Sequence, residues 1–249
     1  MVQLLLLALA PVVAVVCYIY SRDKYEKEPF INLFISFLLG MFSAFLPLLA
    51  GEANEKWGIP ETGGLLNVAF YAFIVVALTE EAGKFLFLRY YMYPKAEFDE
   101  PFDGIVYGVM VSMGFAALEN VLYVLQGGIG IGIVRMFTAI PAHAVFGIIM
   151  GYYVGLAKHA APVDRFRYLL LGLLSATILH GLYDFFIMQE ASEILALFSL
   201  LLLPIGIRYA FVAMKHSHRL SPHQAVIETP PVKDPTLPRP TNNQDPFNS

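Results

Sequence analysis

The sequence predicts an all-α membrane protein, a polytopic bundle of about seven transmembrane helices with its N-terminus outside and its C-terminus in the cytoplasm. Three observations predict it. Apolar residues fill 57% of the 249 positions and charged ones only 14%, with a mean hydropathy of +0.62, whereas soluble chains run near about 45–50% and about 25%. Seven apolar runs approach the roughly 20 residues that cross a bilayer core. The basic residues alternate between connections, as they do when cytoplasmic loops carry the positive charge.

The runs cover residues 3–20, 30–50, 65–92, 104–125, 133–157, 168–188 and 194–214. The first has no basic leader and outlasts a signal-peptide core, so it is expected to be a retained helix. One set of connections carries Arg22, Lys24 and Lys27, then Arg89 and Lys95, then Lys158, Arg165 and Arg167, then Lys215 and Arg219. The opposite set carries only Lys56 and Arg135, and its last turn holds Glu190 and Glu193. From about Ser217 the chain turns polar and proline-rich, a composition that cannot bury enough apolar surface to offset chain entropy. Residues 1–216 are therefore read as the transmembrane domain and 217–249 as a disordered cytoplasmic tail.

Net charge is −4, so no nucleic-acid partner is expected, since that needs a basic face. Cys17 is the single cysteine. It excludes an internal disulfide and a cysteine zinc site within one chain, and its apolar neighbours offer nothing to activate a nucleophile.

A charge at the bilayer centre costs roughly 2.5–3.5 kcal/mol on insertion scales, so ionisable residues inside the runs are informative, and they cluster in runs three to six. The third run reads Thr-Glu80-Glu81-Ala-Gly-Lys84, placing Lys84 on one helix face with both glutamates. An ion pair locking two helices would explain one glutamate. One lysine cannot neutralise two, so one carboxylate is expected to keep a proton, as a general acid or base does. The fourth run opens with Phe-Asp103-Gly104, where Asp103 is expected to cap the helix start, while Gly104 and Gly108 admit a close helix neighbour. Later it carries Glu119 and Asn120. Glu119 suits a second ligand, a carboxylate orienting a histidine, or a group reaching the outer interface. The fifth run holds His143. In the sixth, His180 and Asp184 are spaced i, i+4, so the carboxylate can fix the tautomer of the imidazole. Counting at about 1.5 Å per residue puts these groups between mid-bilayer and the outer face, where they could meet around one water-filled cavity open to the outside.

Taken together, Glu80-Glu81-Ala-Gly-Lys84, Phe102-Asp103-Gly104 through Tyr107-Gly108, Glu119-Asn120, His143 and His180 through Asp184 resemble, in order, the motifs of the PrsW family of intramembrane proteases. That family is distantly similar to the CAAX-prenyl endopeptidase and bacteriocin-processing group. The resemblance covers roughly residues 65–190. It implies peptide-bond hydrolysis in or beside the cell membrane by a glutamic-type peptidase, with the glutamates and histidines at the active centre. It also implies a membrane-anchored protein substrate, in the family's best-known role an anti-sigma factor cut on its extracytoplasmic side.

On this reading Glu81 is the general base, Glu80 shares its proton or positions the water, His143 donates to the oxyanion and His180, oriented by Asp184, completes the site. Lys84 tunes the pair, and Asp103, Glu119 and Asn120 support it. A site without a cofactor is preferred, because no His-Glu-x-x-His helix is present. The alternative is Zn²⁺ held by Glu81, His143 and His180. Two further alternatives are a proton-coupled membrane transporter, since such groups also build proton relays, and a catalytically inactive membrane scaffold.

Overall fold

A computed structural model describes residues 1–222, nearly all of them helical and with no strand among them. Hydrocarbon offers no partner to backbone N–H and C=O groups, so a chain this apolar must pair them within its own helices. Nine α-helices result among the described residues: α1 (Val2–Arg22), α2 (Phe30–Ser43), α3 (Phe45–Trp57), α4 (Leu65–Phe70), α5 (Thr79–Phe87), α6 (Pro101–Phe137), α7 (Ala139–His159), α8 (Pro162–Met188) and α9 (Glu193–Arg219). A π-helical segment, Tyr71–Leu78, joins α4 and α5 into one rod, and a second, Leu88–Met92, extends α5 at its C-terminal end.

Among the described residues, six stretches are long and apolar enough to cross a membrane: Val2–Arg22, Phe30–Trp57, Leu65–Met92, Pro101–His159, Pro162–Met188 and Glu193–Arg219. The fourth has 59 residues. Run straight, it would be almost three times the roughly 30 Å hydrocarbon thickness. It doubles back instead. Gly128 sits at φ 73° and ψ −163°, a backbone that a side chain would strain, and beyond it the chain returns antiparallel. Ser112 Oγ accordingly donates to the His143 carbonyl at 2.7 Å across the two arms. The sequence divides this stretch into two of its seven runs, where the structure has one continuous helical stretch folded back on itself.

Helix α6 is the centre of the bundle. Residues 101–117 are all buried, packed against α1, α2 and α7. The contact with α7 needs glycine: a Cβ on Gly104 would stand 2.3 Å from the Gly151 carbonyl oxygen, and one on Gly108 2.6 Å from that of Gly147. Backbones that close gain dispersion contacts that lipid cannot match.

Asp103 caps α6 as expected. Its Oδ2 accepts the Glu100 N–H at 2.6 Å and the Asp99 N–H at 2.9 Å. On the next turn the Tyr107 hydroxyl donates to the Glu28 carboxylate, tying the α1–α2 connection to α6. Helix α9 continues through residues 217–219, past the point where the sequence placed the start of the tail. There His218 stacks on Phe102 with ring centroids 4.0 Å apart. The rest of the expected tail, from residue 223, lies outside the described residues.

Candidate active site

The two glutamates follow directly on a π-helical segment. Widening the turn rotates what comes next and leaves carbonyls poorly paired, and such segments recur at functional sites. Thr79 answers the second problem: its hydroxyl donates to the Val75 carbonyl at 2.6 Å, with Val76 O at 3.1 Å. Helix α5 then presents Glu80, Glu81 and Lys84 to the bundle interior, all buried.

Lys84 Nζ lies 2.7 Å from Glu81 Oε1 and 3.3 Å from Glu80 Oε2, the face-sharing that the i, i+3 and i, i+4 spacing predicts. His143 of α7 and His180 of α8 close on the same point. His180 Nδ1 is 2.9 Å from Glu81 Oε1, and its Nε2 is 3.2 Å from Asp184 Oδ2 and 3.8 Å from Glu80 Oε2. His143 Nδ1 is 3.5 Å from Lys84 Nζ, and its Nε2 is 3.0 Å from Glu119 Oε2. Glu80, Glu81, His143 and His180 thus offer donor atoms that all lie within 4.8 Å of one another. Glu81 Oε2 is buried with no hydrogen-bond partner among the described residues.

Aromatic rings wall the cluster. Phe115 stands under the Lys84 ammonium, 4.0 Å from Nζ to the ring centroid, which suits a desolvated cation. Phe146 stacks on His180 at 4.8 Å. The charged atoms bond to one another directly, in place of lining the water-filled cavity expected from the sequence, and side-chain exposure rises to 18% at Asp184 and 22% at Glu119.

The structure therefore gathers Glu80, Glu81, Lys84, Glu119, His143, His180 and Asp184. Asn120 joins at one remove, through Arg135. Asp103 does not join: it lies 16 residues before Glu119 on one helix, about 24 Å along the axis, and serves the cap. Arg135 is the residue that sequence reasoning missed, having been read only as an outer-loop charge. Its Nη2 lies 2.6 Å from Glu119 Oε2 and its Nε 2.8 Å from Asn120 Oδ1. Nothing in the spacing shows this, because the contact exists only once the chain reverses at Gly128.

Such a cluster can hold a cation, order a water between carboxylates and cationic donors, and pass a proton. These are the requirements of hydrolysis. The family model described as "PrsW family intramembrane metalloprotease" matches residues 28–213. Among curated proteins, the Protease PrsW of Bacillus subtilis (strain 168) is 39% identical over 177 residues, covering 71% of this chain and 79% of that protein. The Protease PrsW of Geobacillus kaustophilus (strain HTA426) is 38% identical over 190 residues, covering 76% and 82%. That of Clostridioides difficile (strain 630) is 33% identical over 226 residues, covering 88% and 94%. No solved structure matches.

Proposed function

Because this chain belongs to the PrsW family of intramembrane proteases, we propose that it hydrolyses a peptide bond of a membrane-anchored protein with Glu80, Glu81, His143 and His180 as its catalytic centre. The observation that carries this reading is the convergence of two carboxylates and two imidazoles, brought from three helices to within 4.8 Å. Within the class of membrane-anchored substrates, an anti-sigma factor is the one the resemblance implies. The reaction would take place in the cell membrane, with the cluster reached from the extracytoplasmic side.

The donor set fits a divalent metal such as Zn²⁺. Carboxylate oxygens and imidazole nitrogens are its ordinary ligands, and three protein donors leave a position for water. Glu81 Oε2 is a buried oxygen without a partner. Glu119 and Asp184 stand behind the two imidazoles, as carboxylates stand behind metal-binding histidines. The Lys84 ammonium between them marks the centre as a place that favours positive charge. Glu81, His143 and His180 would hold the ion, and the preference for a metal-free site gives way here to a metal-assisted one. When bound, the metal supplies Lewis acidity and a water that loses its proton near neutral pH.

The rest falls to the chain's own side chains. Glu80 is the less tightly held carboxylate, at 3.3 Å from Lys84 and 3.8 Å from His180. It takes the proton of the attacking water and returns it to the leaving amine. This gives Glu80 the base role that the sequence assigned to Glu81. Since Nε2 of His143 faces Glu119, the oxyanion role that the sequence assigned to His143 does not fit, and the Lys84 ammonium, held by Glu80 and Glu81, contributes its positive charge to the centre, where a preorganised charge acts in low dielectric. His180 is fixed in orientation by Asp184.

The test uses purified protein in liposomes with a single-pass reporter substrate. Cleavage should stop after exhaustive chelation, return with Zn²⁺, and be lost in Glu81→Gln. Undiminished turnover after chelation would remove the metal from this reading.

A further inference from the structure

Arg135 breaks the charge pattern of the sequence, since it is one of two basic residues in the connections otherwise poor in them. The structure gives the reason: the guanidinium points inward. It is only 15% exposed, and it meets Glu119 at 2.6 Å, Asn120 at 2.8 Å and the face of Tyr123 at 4.1 Å. These three partners lie on one face of α6, and Arg135 returns to them after the reversal at Gly128.

Glu119 Oε2 serves both Arg135 Nη2 and His143 Nε2. An ionised carboxylate only accepts, so the imidazole proton is on Nε2, and Nδ1 presents its lone pair. The Lys84 ammonium, a donor alone, faces that Nδ1 at 3.5 Å, which agrees. His143 is thus held with its lone pair turned toward Glu80, Glu81 and His180, and the group that fixes Glu119 fixes this choice.

We propose that Arg135 is a positioning residue for the proteolytic centre, acting through Glu119 to set the tautomer and direction of His143. The inference rests on the catalytic reading above. It goes further in assigning a role to an arginine that touches neither substrate nor metal. A carboxylate left without its guanidinium can swing to Tyr123 or to solvent, and His143 would then exchange tautomers and offer Nδ1 to the centre only part of the time. A planar guanidinium that bridges Glu119 and Asn120 through two different nitrogens does this better than an ammonium, so Arg135→Lys should restore part of what Arg135→Gln removes.

The experiment compares wild type, Arg135→Gln and Arg135→Lys as purified full-length proteins. In metal-free protein, ¹⁵N shifts of the His143 ring should report the Nε2–H tautomer in wild type, a mixture in Arg135→Gln, and an intermediate population in Arg135→Lys. Direct titration with Zn²⁺ should give about 10- to 100-fold weaker binding in Arg135→Gln, the range typical for groups behind a ligand, and kcat on the reporter should fall with KM unchanged. If Arg135→Gln does not fold, the Arg135→Lys comparison decides alone. Unchanged tautomer and unchanged Zn²⁺ affinity would overturn the role of Arg135. Absence of Zn²⁺ binding and cleavage in wild type would overturn the catalytic reading instead, leaving the tautomer measurement as the test of Arg135.

Discussion

Glu81 and His180, 99 residues apart in sequence, meet at 2.9 Å between Oε1 and Nδ1 at the centre of the bundle. The same oxygen accepts from Lys84 at 2.7 Å. One carboxylate oxygen thus joins α5 to α8, and the site and the packing of these helices stand or fall together.

Asp184 is the outer support of that contact. Asp184→Asn keeps the shape of the side chain and removes the charge behind His180 Nε2. Carboxylates in this position are worth about 10- to 100-fold in activity or metal affinity. Reporter cleavage should fall by that factor, with thermal unfolding in detergent little changed.

Lys84 has the opposite balance, because its loss leaves two buried carboxylates facing each other. Removing one partner of a buried ion network costs about 3–5 kcal/mol. Lys84→Met should therefore lose stability as well as activity, seen as a clear drop in the unfolding midpoint. Glu80→Gln, which leaves the Lys84–Glu81 pair intact, should lose activity with a smaller drop.

Gly108 tests how far the site depends on the α6–α7 contact. A Cβ there would be 2.6 Å from the Gly147 carbonyl and 2.9 Å from Gly151 Cα. Gly108→Ala should force the helices apart at a cost of about 1–3 kcal/mol, as overpacking does. It should also weaken the Ser112–His143 hydrogen bond, so that cleavage falls although no site residue has changed.

Glu28, in the connection between α1 and α2, gives a pH dependence. Burial is the main cause that pushes its carboxyl up from 4.5 to about 7. A folded pKa above the unfolded one adds stability that is complete below about pH 4.5 and is lost as the pH rises through about 7. Glu28→Gln cannot ionise. Its unfolding midpoint should match wild type below about pH 4.5, exceed it increasingly as the pH rises from about 4.5 to about 7, and hold a constant margin above that, measured by thermal melts in detergent.

What could be read from the sequence was whatever a single helix fixes by itself. Lys84 shares a face with Glu80 and Glu81 because of i, i+3 and i, i+4 spacing, and the same rule joins His180 to Asp184 and puts Asp103 on its cap. Contacts between helices could not be read this way. That Glu119 takes His143 and Arg135, and not the outer interface, depends on a reversal whose only mark is Gly127-Gly128 in an apolar run. The π-helical turn before Thr79 left no sign either, since Tyr71–Leu78 is uniformly apolar and its periodicity is silent. Composition likewise placed the end of α9 a few residues early, because the stacking of His218 on Phe102 is a tertiary contact.

The most direct measurement is the rate at which purified protein in liposomes cuts a membrane-anchored reporter when Glu80 and Glu81 are both replaced by glutamine. The account predicts a loss of at least about 10²- to 10⁴-fold, the contribution of a positioned acid–base group, in protein that still unfolds cooperatively. Cleavage at the wild-type rate would contradict it.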